Sequence, residues 1–144
     1  MFNTILVVCI GNICRSPTGE RLLQHYLPNK IVSSAGIHAV VGSAAYKTAV
    51  EVANEHNLSL EGHISRQLTA AICQEYELIL VMEKNHIDAV SQISPAARGK
   101  TMLFGHWLNQ MDIADPYGHP KPAFELAYKL LDDAAQQWAT HLKN

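Results

Sequence analysis

The sequence predicts an α/β fold: a three-layer sandwich in which a four-stranded parallel sheet carries helices on both faces. Short apolar runs rich in β-branched residues alternate with segments in which apolar residues recur every three or four positions. This alternation of strands and helices is typical of a parallel sheet covered on both sides. The 144 residues are about the length of one domain, and no repeat or linker divides them, so we expect a single domain over residues 1–144.

Four segments have the composition of buried strands. The clearest is Thr4–Cys9, a continuous apolar run that ends where Gly11 and Asn12 break it. We expect the other strands at residues 30–35, 78–82 and 100–104, helices at residues 17–27, 44–56, 69–76, 84–93 and 124–142, and a proline-rich loop at residues 105–122. Ser16 is the expected N-cap of the first helix, with Pro17 at its first position.

Charge and cysteine content argue against several classes of protein. With 11 basic and 13 acidic residues, the net charge of -2 does not favour general binding to nucleic acid or to an anionic membrane. Any anion must therefore be held at a local site. Three cysteines, an odd number, argue against a disulfide framework and for reduced thiols in the cytoplasm. The apolar run at residues 5–10 is too short for a signal peptide or a membrane span, so we expect no direct membrane insertion.

Eight histidines raise the question of a metal site. They are His25, His38, His56, His63, His86, His106, His119 and His141. These positions are scattered, and they contain no two pairs at the spacing of a metal-binding motif. We therefore expect neither a metal nor another cofactor.

One run of nine residues, from Cys9 to Pro17, carries the strongest chemical signal. Five residues separate Cys9 from Arg15 at the end of the first strand, and a helix is predicted directly afterwards. A loop of this length can direct its N–H groups inward as an anion nest, and the helix N-terminus adds its positive dipole end. The residues of this predicted phosphate-binding loop are Ile10, Gly11, Asn12, Ile13 and Cys14, together with Ser16 after Arg15. Arg15 supplies a planar fork that can hold two phosphate oxygens.

The same positive field favours the thiolate form of a cysteine, so we expect Cys9 to be largely a thiolate at neutral pH. A thiolate at the base of a phosphate cradle is placed for in-line attack on phosphorus, with Arg15 and the loop stabilising the transition state. Ser16 is then placed to stabilise the thiolate as a leaving group in a second step. A cysteine, an arginine or a Ser-Pro pair alone is usually structural, but their combination in one run predicts catalysis.

Asp115 is the candidate acid. It precedes Pro116 and Tyr117 in the predicted loop before the last helix. A carboxyl group here can protonate a departing phenolate and then accept a proton from the attacking water. The structural alternative is that Asp-Pro only starts a turn. The presence of the Cys9 motif favours the catalytic role.

The sequence resembles the low-molecular-weight protein-tyrosine phosphatases of the bacterial type. The resemblance covers nearly the whole chain and is carried by residues 5–17, 33–36, 62–66, 78–83 and 115–117. Residues 60–63, 81–84 and 102–107 resemble the subgroup that is paired with a tyrosine autokinase of capsule or exopolysaccharide export. The resemblance therefore implies a phosphotyrosine protein substrate, with such an autokinase as the expected partner.

The resemblance also assigns roles to individual residues. It implies that Cys9 is the nucleophile, Arg15 the phosphate ligand and Asp115 the proton donor. It implies a hydrogen-bond network that braces the loop and consists of Asn12, Ser16, Ser34 and His63. For Ser34 and His63 the alternative of a locally satisfied polar side chain stays open. Cys14 is expected to be the redox partner that forms a protective disulfide with Cys9.

The expected walls of the pocket differ from those of eukaryotic members. Those members carry an aromatic residue after the Ser-Ala-Gly segment, where this chain has Ile37-His38-Ala39-Val40-Val41, and we expect Ile37 and His38 to form the wall. On the other wall, Tyr117 is followed by Gly118, where many members have a second aromatic residue. The pocket is thus expected to be less aromatic on both sides, which affects binding of small aryl phosphates but not the chemistry.

Two other functions are compatible with parts of the sequence. A thioredoxin-coupled arsenate reductase shares this fold and loop, but it needs a relay of further cysteines, and only Cys73 is available downstream. A phosphate-binding module without turnover is expected to lack Cys9 or Asp115, and both are present. Release of inorganic phosphate without a reductant cycle would distinguish the phosphatase from both alternatives.

Overall fold

The computed structural model describes residues 2–143 and contains one four-stranded sheet. Its strands are β1 (Thr4–Cys9), β2 (Ile31–Gly36), β3 (Leu78–Val81) and β4 (Thr101–Leu103). They are all parallel and lie in the order β2-β1-β3-β4. The predicted fold class is confirmed.

Five α-helices and one 3-10 helix are described around this sheet. The α-helices are α1 (Arg15–Tyr26), α2 (Lys47–Glu55), α3 (Ala70–Gln74), α4 (Lys84–Ile93) and α5 (Lys121–Leu142), and the 3-10 helix is Pro95–Lys100. The prediction for α4 was correct to the residue. The 3-10 helix was not predicted.

Successive residues of β1 lie in different apolar clusters because side chains alternate between the two faces of a strand. Ile5 and Val7 belong to the cluster that α1, α2 and α5 complete, which includes Trp138. Leu6 and Val8 belong to the cluster on the opposite face, where α3 and α4 pack and where Cys73 is buried. Helices therefore cover both faces of the sheet, which makes the sandwich three layers thick. Trp138 of the last helix is thus part of the core.

The prediction that Ser16 caps the first helix is wrong. Helix α1 begins at Arg15, Cys14 occupies the N-cap position, and no side chain caps the helix. Asn12 adopts the left-handed backbone conformation, with a φ of 60°, which reverses the chain early enough for the helix to start before Ser16. The Ser16 hydroxyl then faces the sulfur of Cys9 instead of the free N–H groups of the first turn.

The bounds of α2, α3 and α5 also differ from the predictions, and α3 covers only residues 70–74 of the predicted 69–76. Helix α2 begins at residue 47 instead of 44, because the N–H of Tyr46 donates to the carbonyl of Ile13 at 2.8 Å and holds the preceding segment extended. Helix α5 begins at Lys121, three residues before the predicted start. Pro122 lies in its first turn, where a missing N–H costs nothing.

The carboxyl ends of β1 and β2 meet at one edge of the sheet, where Cys9 pairs with Gly36. The two loops approach so closely that a Cβ atom at Gly36 would lie 2.5 Å from the carbonyl oxygen of Ile10. Only glycine permits this approach. Ligands of open α/β sheets bind at this edge, so the fold places Cys9 at the expected position of a site. Within residues 2–143, no helix is both long and apolar enough to span a membrane.

Candidate active site

The loop between β1 and α1 is organised around the buried side chain of Asn12. Its amide nitrogen donates to Ser16 Oγ at 2.7 Å and to Ser34 Oγ at 3.0 Å, and its amide oxygen accepts from the N–H of Arg66 at 2.9 Å. His63 Nε2 lies 2.6 Å from the carbonyl oxygen of Asn12 and is placed to donate to it. The structure thus brings Asn12, Ser16, Ser34 and His63 into one network.

Arg66 joins this network from the outside. Besides its backbone contact with Asn12, its Nε donates to the carbonyl of Ser34 at 2.9 Å and its Nη2 donates to the hydroxyl of Tyr76 at 3.0 Å. The chain after His63 is thereby tied to both loops of the site. Sequence reasoning placed Arg66 in a segment of the family pattern but gave it no role, because its partners Asn12, Ser34 and Tyr76 lie in other parts of the chain.

Cys9 ends β1 with its sulfur 2.9 Å from Ser16 Oγ. When the sulfur is a thiolate, the hydroxyl of Ser16 is the donor of this hydrogen bond. The free N–H groups of the first turn of α1 lie next to the same loop, because the helix starts at Arg15. Both features stabilise negative charge at the sulfur.

Arg15 is almost completely buried, with 1% of its side chain exposed. Its Nη1 donates to Glu83 Oε2 at 2.6 Å and to the carbonyl of Ile113 at 2.7 Å. Its Nη2 lies 3.7 Å from Asp115 Oδ2. Glu83 is a residue of the site that sequence reasoning did not identify, since nothing near it in the sequence indicates that it contacts Arg15.

A cavity of about 220 Å³ opens above the sulfur. Its lining residues are Cys9, Ile10, Gly11, Ile13, Cys14, Arg15, His38, Val40, Asp115 and Tyr117. Asp115 is half-exposed on the loop before α5, and its Oδ1 accepts from the N–H of Tyr117 at 3.0 Å. The ring of Tyr117 packs edge-on against Tyr46, which stacks on Phe124, so the loop that carries the carboxyl group is fixed against α5. One cavity therefore joins a thiol, a guanidinium and a carboxyl group.

Comparison with known proteins identifies the family. Residues 4–144 match the family described as "Low molecular weight phosphotyrosine protein phosphatase". The chain belongs to this family. The resemblance seen in the sequence is confirmed.

Several relatives of this phosphatase match it over almost their whole length. It is 60% identical over 142 residues to the probable low molecular weight protein-tyrosine-phosphatase AmsI of Erwinia amylovora, covering 99% of each chain. It is 56% identical to Wzb of Escherichia coli K12, covering 99% of this chain and 97% of Wzb. The structure of Vibrio vulnificus Wzb in complex with benzylphosphonate superimposes with a TM-score of 0.97 at 59% identity, covering 99% of this chain and 100% of the other. The chain is thus an enzyme that hydrolyses phosphotyrosine.

The walls of the phosphatase cavity are only partly those that the sequence predicted. His38 and Tyr117 line the cavity, as expected. The prediction for Ile37 is wrong: the residue is 4% exposed and packs in the core, because its N–H donates to the carbonyl of Cys9 at 2.9 Å and holds it against the sheet just after β2. Val40, which is half-exposed and follows two residues after His38, forms that part of the wall. This side of the cavity is therefore formed by the imidazole of His38 and the aliphatic side chain of Val40, and Tyr117 supplies the aromatic ring of the lining.

Cys14, the expected redox partner, is buried and lines the same cavity as Cys9. Burial raises the pKa of its thiol to about 12, and the neighbouring Cys9 and Asp115 contribute in the same direction. Cys14 is thus a protonated thiol at neutral pH. All three cysteines are free thiols in the structure.

Proposed function

We propose that this phosphatase acts through a cysteinyl-phosphate intermediate. The Cys9 thiolate attacks phosphorus, so that an S–P bond forms and the bond to the tyrosine oxygen breaks. Asp115 gives its proton to the departing phenolate. A water molecule then attacks the phosphoryl group, passes a proton to Asp115 and releases inorganic phosphate together with the Cys9 thiolate.

The observation that carries this proposal is the shared cavity in which Cys9, Arg15 and Asp115 all line the wall. A phosphoryl group above the sulfur lies within reach of the Arg15 guanidinium, whose remaining N–H groups can hold two phosphate oxygens. Asp115 Oδ2 lies 3.7 Å from Arg15 Nη2, and a carboxyl group this close to the proposed phosphate ligand supports its proposed role as proton donor. Geometry of this kind permits in-line transfer between sulfur and oxygen.

Ser16 supports the second half of the cycle. Its hydroxyl lies 2.9 Å from the sulfur and is itself held by the amide of Asn12. A donor that is already oriented stabilises the thiolate as it leaves phosphorus, without a reorganisation cost at that moment. The buried network around Asn12 thereby serves the chemistry as well as the shape of the loop.

The proposed physiological substrate is a phosphorylated protein in the cytoplasm, specifically a bacterial tyrosine autokinase of exopolysaccharide or capsule export. Support comes from the subgroup pattern in residues 60–63, 81–84 and 102–107, and from high identity to proteins named AmsI and Wzb. The test is release of phosphate from the phosphorylated tyrosine kinase of the same cell, compared with an unrelated phosphotyrosine protein. Equal rates on the two proteins would contradict this assignment.

The arsenate reductase alternative has no support in the positions of the cysteines. Cys73 is buried in the cluster on the face of the sheet opposite to Cys9 and Cys14. A thiol relay needs sulfurs that can approach one another within disulfide distance. Phosphate release from an aryl phosphate without any reductant cycle distinguishes the two chemistries.

The mechanism is tested by replacing the nucleophile. Cys9→Ser should abolish turnover but retain phosphate binding, because the serine hydroxyl has no adjacent base to activate it. Arg15→Lys should also fail, because an ammonium group cannot make the bidentate contact. Rapid acid quenching of the parent enzyme should trap one phosphoryl group on the peptide that contains Cys9.

Cys73→Ser is the matched control, since it makes the same replacement on the opposite face of the sheet. It should keep activity and form the trapped intermediate. Substantial turnover by the Cys9→Ser variant, or a phosphoryl group on another residue, would contradict the covalent mechanism.

A further inference from the structure

Among the residues that line the cavity, His38 is the one side chain that the proposed mechanism does not use and that can carry positive charge. Its N–H donates to the carbonyl of Ile10 at 3.0 Å, which fixes its backbone against the phosphate-binding loop. Its imidazole is exposed and, within residues 2–143, makes no hydrogen bond or ion pair. The wall therefore presents a free, polar side chain to whatever enters the cavity.

The other charged groups of the cavity are already occupied. Arg15 is buried at its base and is bound to Glu83 and Ile113. Asp115, on the loop opposite His38, faces Arg15 and accepts from the N–H of Tyr117. The remaining titratable groups in the lining are Cys9, Cys14 and Tyr117. His38 is thus the lining residue that can offer positive charge to a part of the substrate other than the phosphate.

The size of the cavity determines which part of the substrate can contact His38. A volume of about 220 Å³ is below the roughly 300–1,000 Å³ of sites that enclose a whole drug-sized ligand. It suits the phosphoryl group and ring of one phosphotyrosine, whereas the neighbouring residues of a protein substrate lie over the rim. An exposed side chain on the wall meets those neighbours.

We propose that His38 is a specificity-determining residue whose imidazolium form binds a carboxylate next to the phosphotyrosine of the substrate. The proposal rests on the function proposed above, because it requires the phosphotyrosine ring to occupy this cavity. Histidine is the side chain whose charge ordinarily changes between about pH 5 and 8, so pH is a suitable variable for the test. A protonated imidazole has two N–H donors and no acceptor, which matches a carboxylate.

The test compares two phosphotyrosine peptides that differ only in having Asp or Asn beside the phosphotyrosine, placed first before and then after it. The ratio of kcat/KM for the two peptides is measured at pH 5.5 and pH 8, because effects common to both peptides cancel in the ratio. The Asp carboxylate is charged at both pH values. In the parent enzyme the ratio should be about two- to fivefold at pH 5.5, the range expected for an exposed ion pair, and close to one at pH 8.

Two variants separate the role of His38 from general effects of pH. In His38→Gln the ratio should stay near one at both pH values, because glutamine keeps a polar side chain but cannot become charged. His25→Gln makes the same replacement near the end of α1, outside the cavity lining, and should keep the parental ratio. Added salt should lower the ratio of the parent at pH 5.5 but not that of His38→Gln.

Two results would overturn the proposal. In the first, the ratio of kcat/KM in the parent does not change with pH. In the second, His38→Gln shows the same preference for the Asp peptide at pH 5.5 as the parent. Loss of activity on both peptides in His38→Gln with an unchanged ratio would show that His38 packs on the tyrosine ring instead, and would also overturn it. Failure of the proposed mechanism is visible separately. In that case the Cys9→Ser variant keeps turnover, whatever the peptide ratio is.

Discussion

The guanidinium of Arg15 is held from beneath by Glu83, which accepts a hydrogen bond from Nη1 at 2.6 Å. The same nitrogen also donates to the carbonyl of Ile113 at 2.7 Å, so both N–H groups of Nη1 are hydrogen-bonded within the protein. Arg15 also lines the cavity, and its Nε and Nη2 are not used in these two hydrogen bonds. Glu83 is therefore a positioning residue, which acts on the substrate only through Arg15.

Replacing Glu83 with Gln should lower kcat/KM by about tenfold or more, because a hydrogen bond between charged partners is lost from a buried group. Glu83→Asp keeps the charge on a shorter side chain and should recover part of the loss. The measurement is kcat and KM for both variants, together with the rise in Tm that vanadate produces. A Tm that falls while kcat and KM stay parental would mean that Glu83 only stabilises the fold.

Asp115→Asn should reduce turnover of phosphotyrosine by about a hundredfold or more, the lower range for loss of a general acid. A phenolate with a pKa near 10 is a poor leaving group and needs the proton, whereas an acidic phenol leaves without it. The decisive measurement is the rate against the pKa of the leaving group for parent and variant. The basic limb of the pH–rate profile should also flatten.

Asp115 is only a turn residue if the rate of the Asp115→Asn variant depends no more steeply on the pKa of the leaving group than the rate of the parent does. The variant should keep its fold, because an asparagine amide oxygen can also accept from the N–H of Tyr117. A circular dichroism spectrum and Tm equal to those of the parent provide the control.

Cys14→Ser should make inactivation by peroxide less reversible. Peroxide converts an accessible thiolate to a sulfenic acid, which a neighbouring thiol can resolve to a disulfide. Cys14 lines the same cavity as Cys9, and its thiol is kept protonated by burial, which raises its pKa to about 12. Cys9 is therefore expected to react first and Cys14 to act as the resolving partner.

The measurement is the activity that dithiothreitol restores after a fixed exposure to peroxide. Cys73→Ser serves as the control, since it removes a thiol from the opposite face of the sheet. Equal recovery in the parent and in Cys14→Ser would rule out the resolving role.

Stability should fall as the pH drops below about 6.5, and His86 should contribute to this fall. Burial lowers the pKa of His86, and the nearby Arg15 lowers it further, although Glu83 opposes both effects. The unfolded chain therefore binds a proton at a higher pH than the folded chain does, so acid favours unfolding. His86→Gln should show a smaller loss of Tm between pH 7 and pH 5, and the same change at exposed His25 should show the parental loss.

Chelators should leave activity unchanged, because Arg15 and the N–H groups of the loop supply the positive charge at the proposed phosphate site. Orthovanadate, a mimic of five-coordinate phosphorus, should compete with the substrate. The measurement is the rate on an aryl phosphate before and after dialysis against EDTA. A loss of activity that one added metal restores would contradict the proposed mechanism.

The fold class and the central chemistry of this protein were predictable because their signals are local in the sequence. The apolar run that ends at Cys9 indicates a buried strand, and the spacing from Cys9 to Arg15 indicates a loop that leads into a helix. The bounds of α4 were likewise predicted correctly, because the Ser94-Pro95 pair that follows it is a local signal for the end of a helix.

Tertiary structure decided everything that depends on residues far apart in the sequence. Glu83 contacts Arg15 across 68 positions, and His63 reaches Asn12 across 51, so neither contact leaves a local pattern. Contacts between loops also decide two smaller features. Helix α1 starts at Arg15, and Val40 lines the cavity wall where the sequence predicted Ile37. The backbone direction of each loop is set by hydrogen bonds to another loop, and these form only when the sheet brings the two loops together.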